Sequence, residues 1–95
     1  MIAYETVLAD VIEIIESISG DWELEEEIRE DSWVLRDLGM ESIDAVALGT
    51  EIAEKYGREL PFARFLVAHL EQDPGDFTVG QLVAFMTREL NAHGR

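Results

Sequence analysis

The sequence predicts an all-α fold, one bundle of four helices with a long loop between helices 1 and 2. Apolar residues recur at spacings of three and four in four separate segments, which is the period of an amphipathic helix. The chain has 95 residues, 47% of them hydrophobic, and no repeat, linker or low-complexity stretch divides it. Such a chain supports one modest core, so we expect a single domain over residues 1–95.

The first helix and the loop after it differ in their apolar pattern. Apolar residues keep a helical spacing up to about Gly20, with acidic residues between them. Residues 21–41 lose that spacing, and loops of this length are usually functional. We expect an ordered loop whose apolar residues, among them Trp22, Trp33 and Leu38, pack on the core. The helical apolar positions are Val7, Leu8, Val11, Ile12, Ile14, Ile15 and Ile18.

A second helix is predicted from Ser42 to about Tyr56, ended by Gly57. At about 100° per residue its positions divide into two faces. The outer face is more apolar than contact with water requires. The core face consists of Ala45, Leu48, Gly49, Ile52 and Tyr56. The outer face consists of Ile43, Val46, Ala47, Thr50 and Glu54.

Two further helices complete the bundle. The segment FARFLVAHLEQ predicts a third helix that stops before Pro74 and Gly75. The fourth helix begins where Thr78 and Gln81 have the spacing of a capping box ahead of an apolar stripe. We expect the tail, residues 91–95, to fray.

The charge of the chain limits its partners. Asp and Glu number 21 against 7 Lys and Arg, giving a formal net charge of −14. Nucleic acid is therefore excluded as an expected partner, because binding a polyanion requires clustered basic residues. Basic protein surfaces are the natural partners, although the charge could equally serve only to keep a small domain soluble.

Several other classes are not expected. The chain has no cysteine, and residues 82–86 form its longest apolar run, far short of the roughly 18 residues that cross a membrane. The start of the chain lacks a basic leader region, so we expect a cytoplasmic protein. We also expect a monomer. His69 and His93 lack the spacing of a metal site, and no nucleophile elbow surrounds Ser42, so neither a metal nor a catalytic residue is expected.

The segment LRDLGMESIDAVAL carries the strongest functional signal. Leu38 can anchor the loop, Gly39 permits a turn that other residues resist, and Ser42 follows at a helix start. A phosphate on that serine would lie near the positive end of the helix dipole. Taken alone, however, Ser42 is better explained as a simple N-cap residue.

The motif DLGMESID resembles the attachment motif of acyl carrier proteins, and the order of helices resembles that family over most of the chain. The resemblance implies an acyl-carrier-like, free-standing protein whose Ser42 receives 4′-phosphopantetheine from coenzyme A. A magnesium-dependent phosphopantetheinyl transferase would add the arm, whose terminal thiol would carry acyl groups as thioesters. The matching residues are Asp37, Leu38, Gly39, Met40, Glu41, Ser42, Ile43 and Asp44.

The resemblance also implies partners, namely acyl-transferring or ligating and condensing enzymes with basic or apolar docking patches. Ala47 and Ala53 stand where fatty-acid carriers commonly have glutamates, which favours a specialised pathway such as polyketide biosynthesis. The third-helix region is longer than in the family and could change which cargo is sheltered. The partner-binding residues that the resemblance implies are Glu41, Ile43, Asp44, Val46 and Glu54.

Two alternatives remain open at the level of sequence. A discrete peptidyl carrier would bear an aminoacyl group on the same arm. An unmodified acidic adaptor would instead use the outer face of the second helix to bind a basic partner.

Overall fold

The computed structural model describes residues 2–18, 28–57, 60–72 and 75–92, except for the side chain of Ser42. It contains four helices, α1 (Tyr4–Ile18), α2 (Ser42–Tyr56), α3 (Phe62–Leu70) and α4 (Val79–Ala92). Within those ranges the β structure is limited to an isolated antiparallel bridge between Trp33 and Thr78. The all-α, four-helix prediction is therefore confirmed.

The core lies where α1 packs against α2 and α4, and α2 also contacts α3. The core face predicted for α2 is confirmed, because Ala45, Leu48 and Ile52 are fully buried. Gly49 is also buried, and Tyr56 is half-buried. The hydroxyl of Tyr56 donates a hydrogen bond to the carboxylate of Asp10, which ties the end of α2 to α1.

The helix ends differ from the sequence predictions at two places, and a third prediction is not tested. The predicted end of α1, Gly20, lies outside the described residues. Helix α3 ends at Leu70, two residues before the predicted end of the segment. Helix α4 continues to Ala92, into the predicted tail, because the side chain of Asn91 accepts the N–H of Ile2 at 2.8 Å and donates to its carbonyl at 3.0 Å. Residues 93–95 lie outside the described part of the chain.

The capping box predicted before α4 is confirmed. The Thr78 hydroxyl accepts the backbone N–H of Gln81 at 3.1 Å, and the Gln81 side-chain oxygen accepts the N–H of Thr78 at 2.8 Å. Two donors of the first turn are thereby satisfied.

The second half of the predicted loop is ordered by pairing with the chain just before α4. Val34 donates its N–H to the carbonyl of Phe77 at 2.9 Å, and Gly80 donates to that of Glu30 at 2.7 Å. Leu38 is 3% exposed, as expected of an anchor, and Trp33 is half-buried. The first half of the loop, with Trp22, lies outside the described residues.

Candidate functional site

A closed turn leads into the first residue of α2. The carboxylate of Asp37 accepts the backbone N–H of Trp33 at 2.8 Å. In return, the Trp33 carbonyl accepts the N–H groups of Asp37 at 2.9 Å and Leu38 at 3.1 Å. The Asp-Leu of the motif therefore has a structural cause, since Asp37 closes the turn and Leu38 fixes it to the core.

Gly39 lets the chain leave this turn toward α2. Its φ of 70° lies in the left-handed region, which glycine adopts without steric cost. A Cβ at this position would meet nothing within 4 Å, so backbone conformation rather than space requires the glycine. Met40, next along, is 3% exposed and donates its N–H to the carbonyl of Val34 at 3.3 Å.

The N terminus of α2 is capped by Glu41, with Ser42 as the first helical residue. The carboxylate of Asp44 accepts the backbone N–H of Glu41 at 3.1 Å. Ser42 is therefore not the N-cap, which removes the simplest structural explanation for a serine in this place. Its side chain lies outside the part of the chain that the structure describes.

The outer face of α2 exposes apolar side chains beside acidic ones. Ile43 is 72% exposed and Val46 is 54% exposed. Glu41 and Glu54 are also exposed, while Asp44 is half-buried by its capping contact. Apolar side chains this exposed are typical of binding surfaces when they lie next to one another.

An apolar cleft lies between this face and α3. Two adjoining hollows, of about 680 Å³ and about 560 Å³, share the side chains of Val46, Ala63 and Leu66. The second hollow extends along α3 past Val67, which is 55% exposed. Because Ile43 also lines that hollow, the cleft begins one residue from Ser42.

The residues of α3 that line the cleft were not predicted from the sequence. Ala63, Leu66, Val67 and Leu70 have helical spacing, so the pattern shows that they share a face. It does not show that this face lies beside α2 rather than over the core.

Phe62 closes the inner side of the cleft. Its side chain is 7% exposed, and its ring stacks on Phe65 with ring centroids 5.9 Å apart. Gly49 of α2 lies directly beneath the ring, so that a Cβ at Gly49 would overlap it. The cleft is consequently separated from the core by one aromatic side chain.

Other candidate residues have ordinary structural roles. His69 places its Nδ1 3.0 Å from the Phe65 carbonyl, and its ring packs on Phe65 with centroids 4.2 Å apart. Among the described residues, no group of three or more His, Asp or Glu could hold a metal ion. His93 lies outside them. None of the described helices is both long and apolar enough to cross a membrane.

Comparison with known families gives the class to which this four-helix domain belongs. The family model described as the phosphopantetheine attachment site matches residues 9–72, more than half of the chain. The chain therefore belongs to this family, consistent with membership among the acyl carrier proteins. No curated protein and no solved structure matches the chain at a significant level.

In this family, 4′-phosphopantetheine is attached covalently to a serine. The residues around the start of α2 fit such a group. Helix N-termini favour phosphate through their free N–H groups and the helix dipole. Helix α2 is 15 residues long, so its peptide dipoles add up over about four turns. The space beside Gly39 is open, and the adjoining cleft is apolar. Carrier proteins of this kind interact with phosphopantetheinyl transferases and with biosynthetic enzymes.

Proposed function

We propose that this protein is an acyl carrier protein that bears its 4′-phosphopantetheine arm on Ser42. The terminal thiol of the arm holds an acyl group as a thioester. The observation that carries the proposal is the position of Ser42, the first residue of α2, directly after the closed turn of the family motif. The chain has no catalytic residue in this function and acts as a carrier between enzymes.

The other described serines within the matched residues are less suitable than Ser42 as the attachment residue. Ser32 is 9% exposed, and its Oγ accepts the backbone N–H of Arg29 at 3.0 Å. Ser17 lies in the last turn of α1, where the dipole disfavours a phosphate. Ser19 lies outside the described residues.

The attachment reaction needs no residue of this chain other than Ser42 as a reactant. The Ser42 hydroxyl oxygen bonds to the phosphorus that bears the pantetheine, and the pyrophosphate bond of coenzyme A breaks. Adenosine 3′,5′-bisphosphate leaves, and the serine proton passes to the transferase. The task of this chain is to present Ser42, which the turn and the capped helix N terminus accomplish.

The outer face of α2 is the proposed docking surface, formed by Glu41, Ile43, Asp44, Val46 and Glu54. Its two exposed apolar side chains suit a shallow apolar patch on the partner, and its carboxylates suit a basic rim. Such a partner would be an acyl-transferring or ligating enzyme, or a condensing enzyme, of a specialised biosynthetic pathway.

An acyl cargo suits the cleft better than an aminoacyl cargo. The cleft walls are formed largely by apolar side chains, including Val46, Leu66 and Val67. A glutamate lines each hollow, Glu54 in the first and Glu71 in the second, but both are exposed. Burying a charged amino group among the apolar walls would therefore leave it without a paired acceptor, whereas each buried CH₂ of an acyl chain contributes about 0.8 kcal/mol. Relative to the same thioester on free pantetheine, that of an apolar chain should therefore be protected from hydrolysis more than that of an amino acid.

Intact mass spectrometry tests the proposal. The protein is incubated with coenzyme A, magnesium and a broad-specificity phosphopantetheinyl transferase, beside Ser42→Ala and Ser17→Ala variants. We expect one phosphopantetheine on the parent and on Ser17→Ala, and none on Ser42→Ala. A folded, initially unmodified parent that gains nothing would contradict the proposal and favour the unmodified adaptor.

A further inference from the structure

A buried carboxylate just before α4 plays no part in the function proposed above. Asp76 is 7% exposed. Its Oδ1 accepts the backbone N–H groups of Phe77 at 2.7 Å and Leu35 at 3.0 Å, and its Oδ2 accepts that of Arg36 at 2.9 Å. Hydrogen bonds to a carboxylate are roughly twice as strong as neutral ones. One side chain thus joins two segments that are 40 and 41 residues apart in sequence.

The turn that Asp76 holds is the one that leads to Ser42. Its backbone is bonded internally at Trp33, Asp37 and Leu38, and Leu38 is buried. Met40 is also buried and is bonded to Val34. The backbone therefore has little conformational freedom between the residues bonded to Asp76 and the first residue of α2.

We infer that Asp76 is a positioning residue for phosphopantetheine attachment. By fixing the turn of residues 33–38 against the start of α4, it sets the place at which Ser42 meets the transferase. The inference rests on the proposed function, because it requires Ser42 to be the acceptor. Asp76 does not touch the reacting atoms and acts only through the turn.

Positioning and simple stability predict different kinetics. Val46 and Glu54 lie beyond the first turn of α2 and should still dock in an Asp76 variant. Misplaced Ser42 then lowers kcat for transfer by about tenfold or more, with a smaller change in KM for the carrier. A variant that is only less stable has a smaller folded fraction, which raises the apparent KM and leaves kcat alone.

Two substitutions of Asp76 remove its hydrogen bonds to different extents. Asp76→Asn retains one acceptor oxygen and places an amide nitrogen against a backbone donor, whereas Asp76→Ala retains no acceptor. We expect kcat to fall in the order parent, Asp76→Asn, Asp76→Ala. Asn91→Ala is the matched control, because it removes two tertiary hydrogen bonds, both to Ile2, and touches no part of the turn.

The experiment measures kcat and KM for transfer from coenzyme A with each purified chain, at a temperature where circular dichroism shows it folded. Reduced kcat in Asp76→Asn, with kcat retained in Asn91→Ala, supports the inference. Unchanged kcat in Asp76→Asn overturns it, whether or not Asp76→Ala folds. If the parent is modified on Ser42 and Asp76→Asn retains the parent's kcat, this inference fails and the proposed function stands. If the parent is not modified at all, the proposed function fails as well.

Discussion

The ring of Phe62 lies against Gly49 so closely that the two helices leave no room for a methyl group between them. Phe62 is the first residue of α3, and Gly49 lies in the middle of α2 on its buried face. This contact sets how near α3 approaches α2, and hence the width of the cleft beside Ser42.

Gly49→Ala should destabilise the protein. Alanine gains up to about 1 kcal/mol of helix propensity over glycine, but overpacking a core costs about 1–3 kcal/mol. The overlap involves ring atoms near the backbone of Phe62, which cannot swing away, so we expect a net loss of about 1 kcal/mol. Urea denaturation measures it. The loss should shrink in a Phe62→Leu background, and a Gly49→Ala protein as stable as the parent would contradict this packing.

Replacing Thr78 by alanine should cost about 1 kcal/mol of unfolding free energy, because the N–H of Gln81 loses its cap. Thr50→Ala is the control. Thr50 is exposed, and its hydroxyl donates to the Val46 carbonyl of its own helix. Thermal unfolding of both variants should show a lower Tm for Thr78→Ala and little change for Thr50→Ala. A Thr78→Ala protein with the Tm of the parent would contradict a stabilising capping box.

The two tyrosines predict a loss of stability in alkali. The hydrogen bond to Glu30, 2.6 Å long, together with burial, raises the pKa of Tyr4 to about 12. Burial and the hydrogen bond to Asp10 raise the pKa of Tyr56 further above its ordinary value. Because the folded-state pKa exceeds the unfolded value of about 10, this stabilisation is complete below pH 10 and declines as pH rises toward 12.

Tyrosinate absorbance checks this prediction. In the folded protein neither tyrosine should titrate at pH 10, and Glu30→Gln should shift Tyr4 alone toward its ordinary pKa. If half of the tyrosinate absorbance of the native parent appears with the ordinary pKa of about 10, one of the two tyrosine contacts is contradicted.

Reversing the charge of Glu54 tests the docking surface. We expect Glu54→Lys to lower kcat/KM with phosphopantetheinyl transferase about two- to fivefold and to weaken its dependence on salt, as for other rim charges. Glu16→Lys changes an exposed glutamate on α1, outside the proposed docking surface, and carries the same change in net charge. Equal effects of the two variants would mean that net charge, rather than the outer face of α2, attracts the partner.

The helices and the local motifs were predictable because their causes are local. The spacing of apolar residues is enough to predict the buried face of α2, and the capping box before α4 spans only Thr78 to Gln81. The Asp-Leu-Gly turn is likewise closed by neighbours in sequence. In these segments the residues that determine the structure lie within a few positions of one another.

The tertiary contacts around the site were not predictable in the same way. Asp76 bonds to Leu35 and Arg36, which lie about forty residues earlier, and nothing in its own surroundings identifies those partners. Glu41 caps α2 although glutamate is not a favoured N-cap residue. The continuation of α4 through Asn91 depends on Ile2 at the other end of the chain.

Peptide mapping of the modified protein tests the central claim most directly. Trypsin releases residues 37–55, DLGMESIDAVALGTEIAEK, in which Ser42 and Thr50 carry the only hydroxyl groups. After treatment with coenzyme A and transferase, tandem mass spectrometry should place a single phosphopantetheine on Ser42. Modification of Thr50, or of a peptide carrying another serine, would contradict the assignment of Ser42 as the attachment residue.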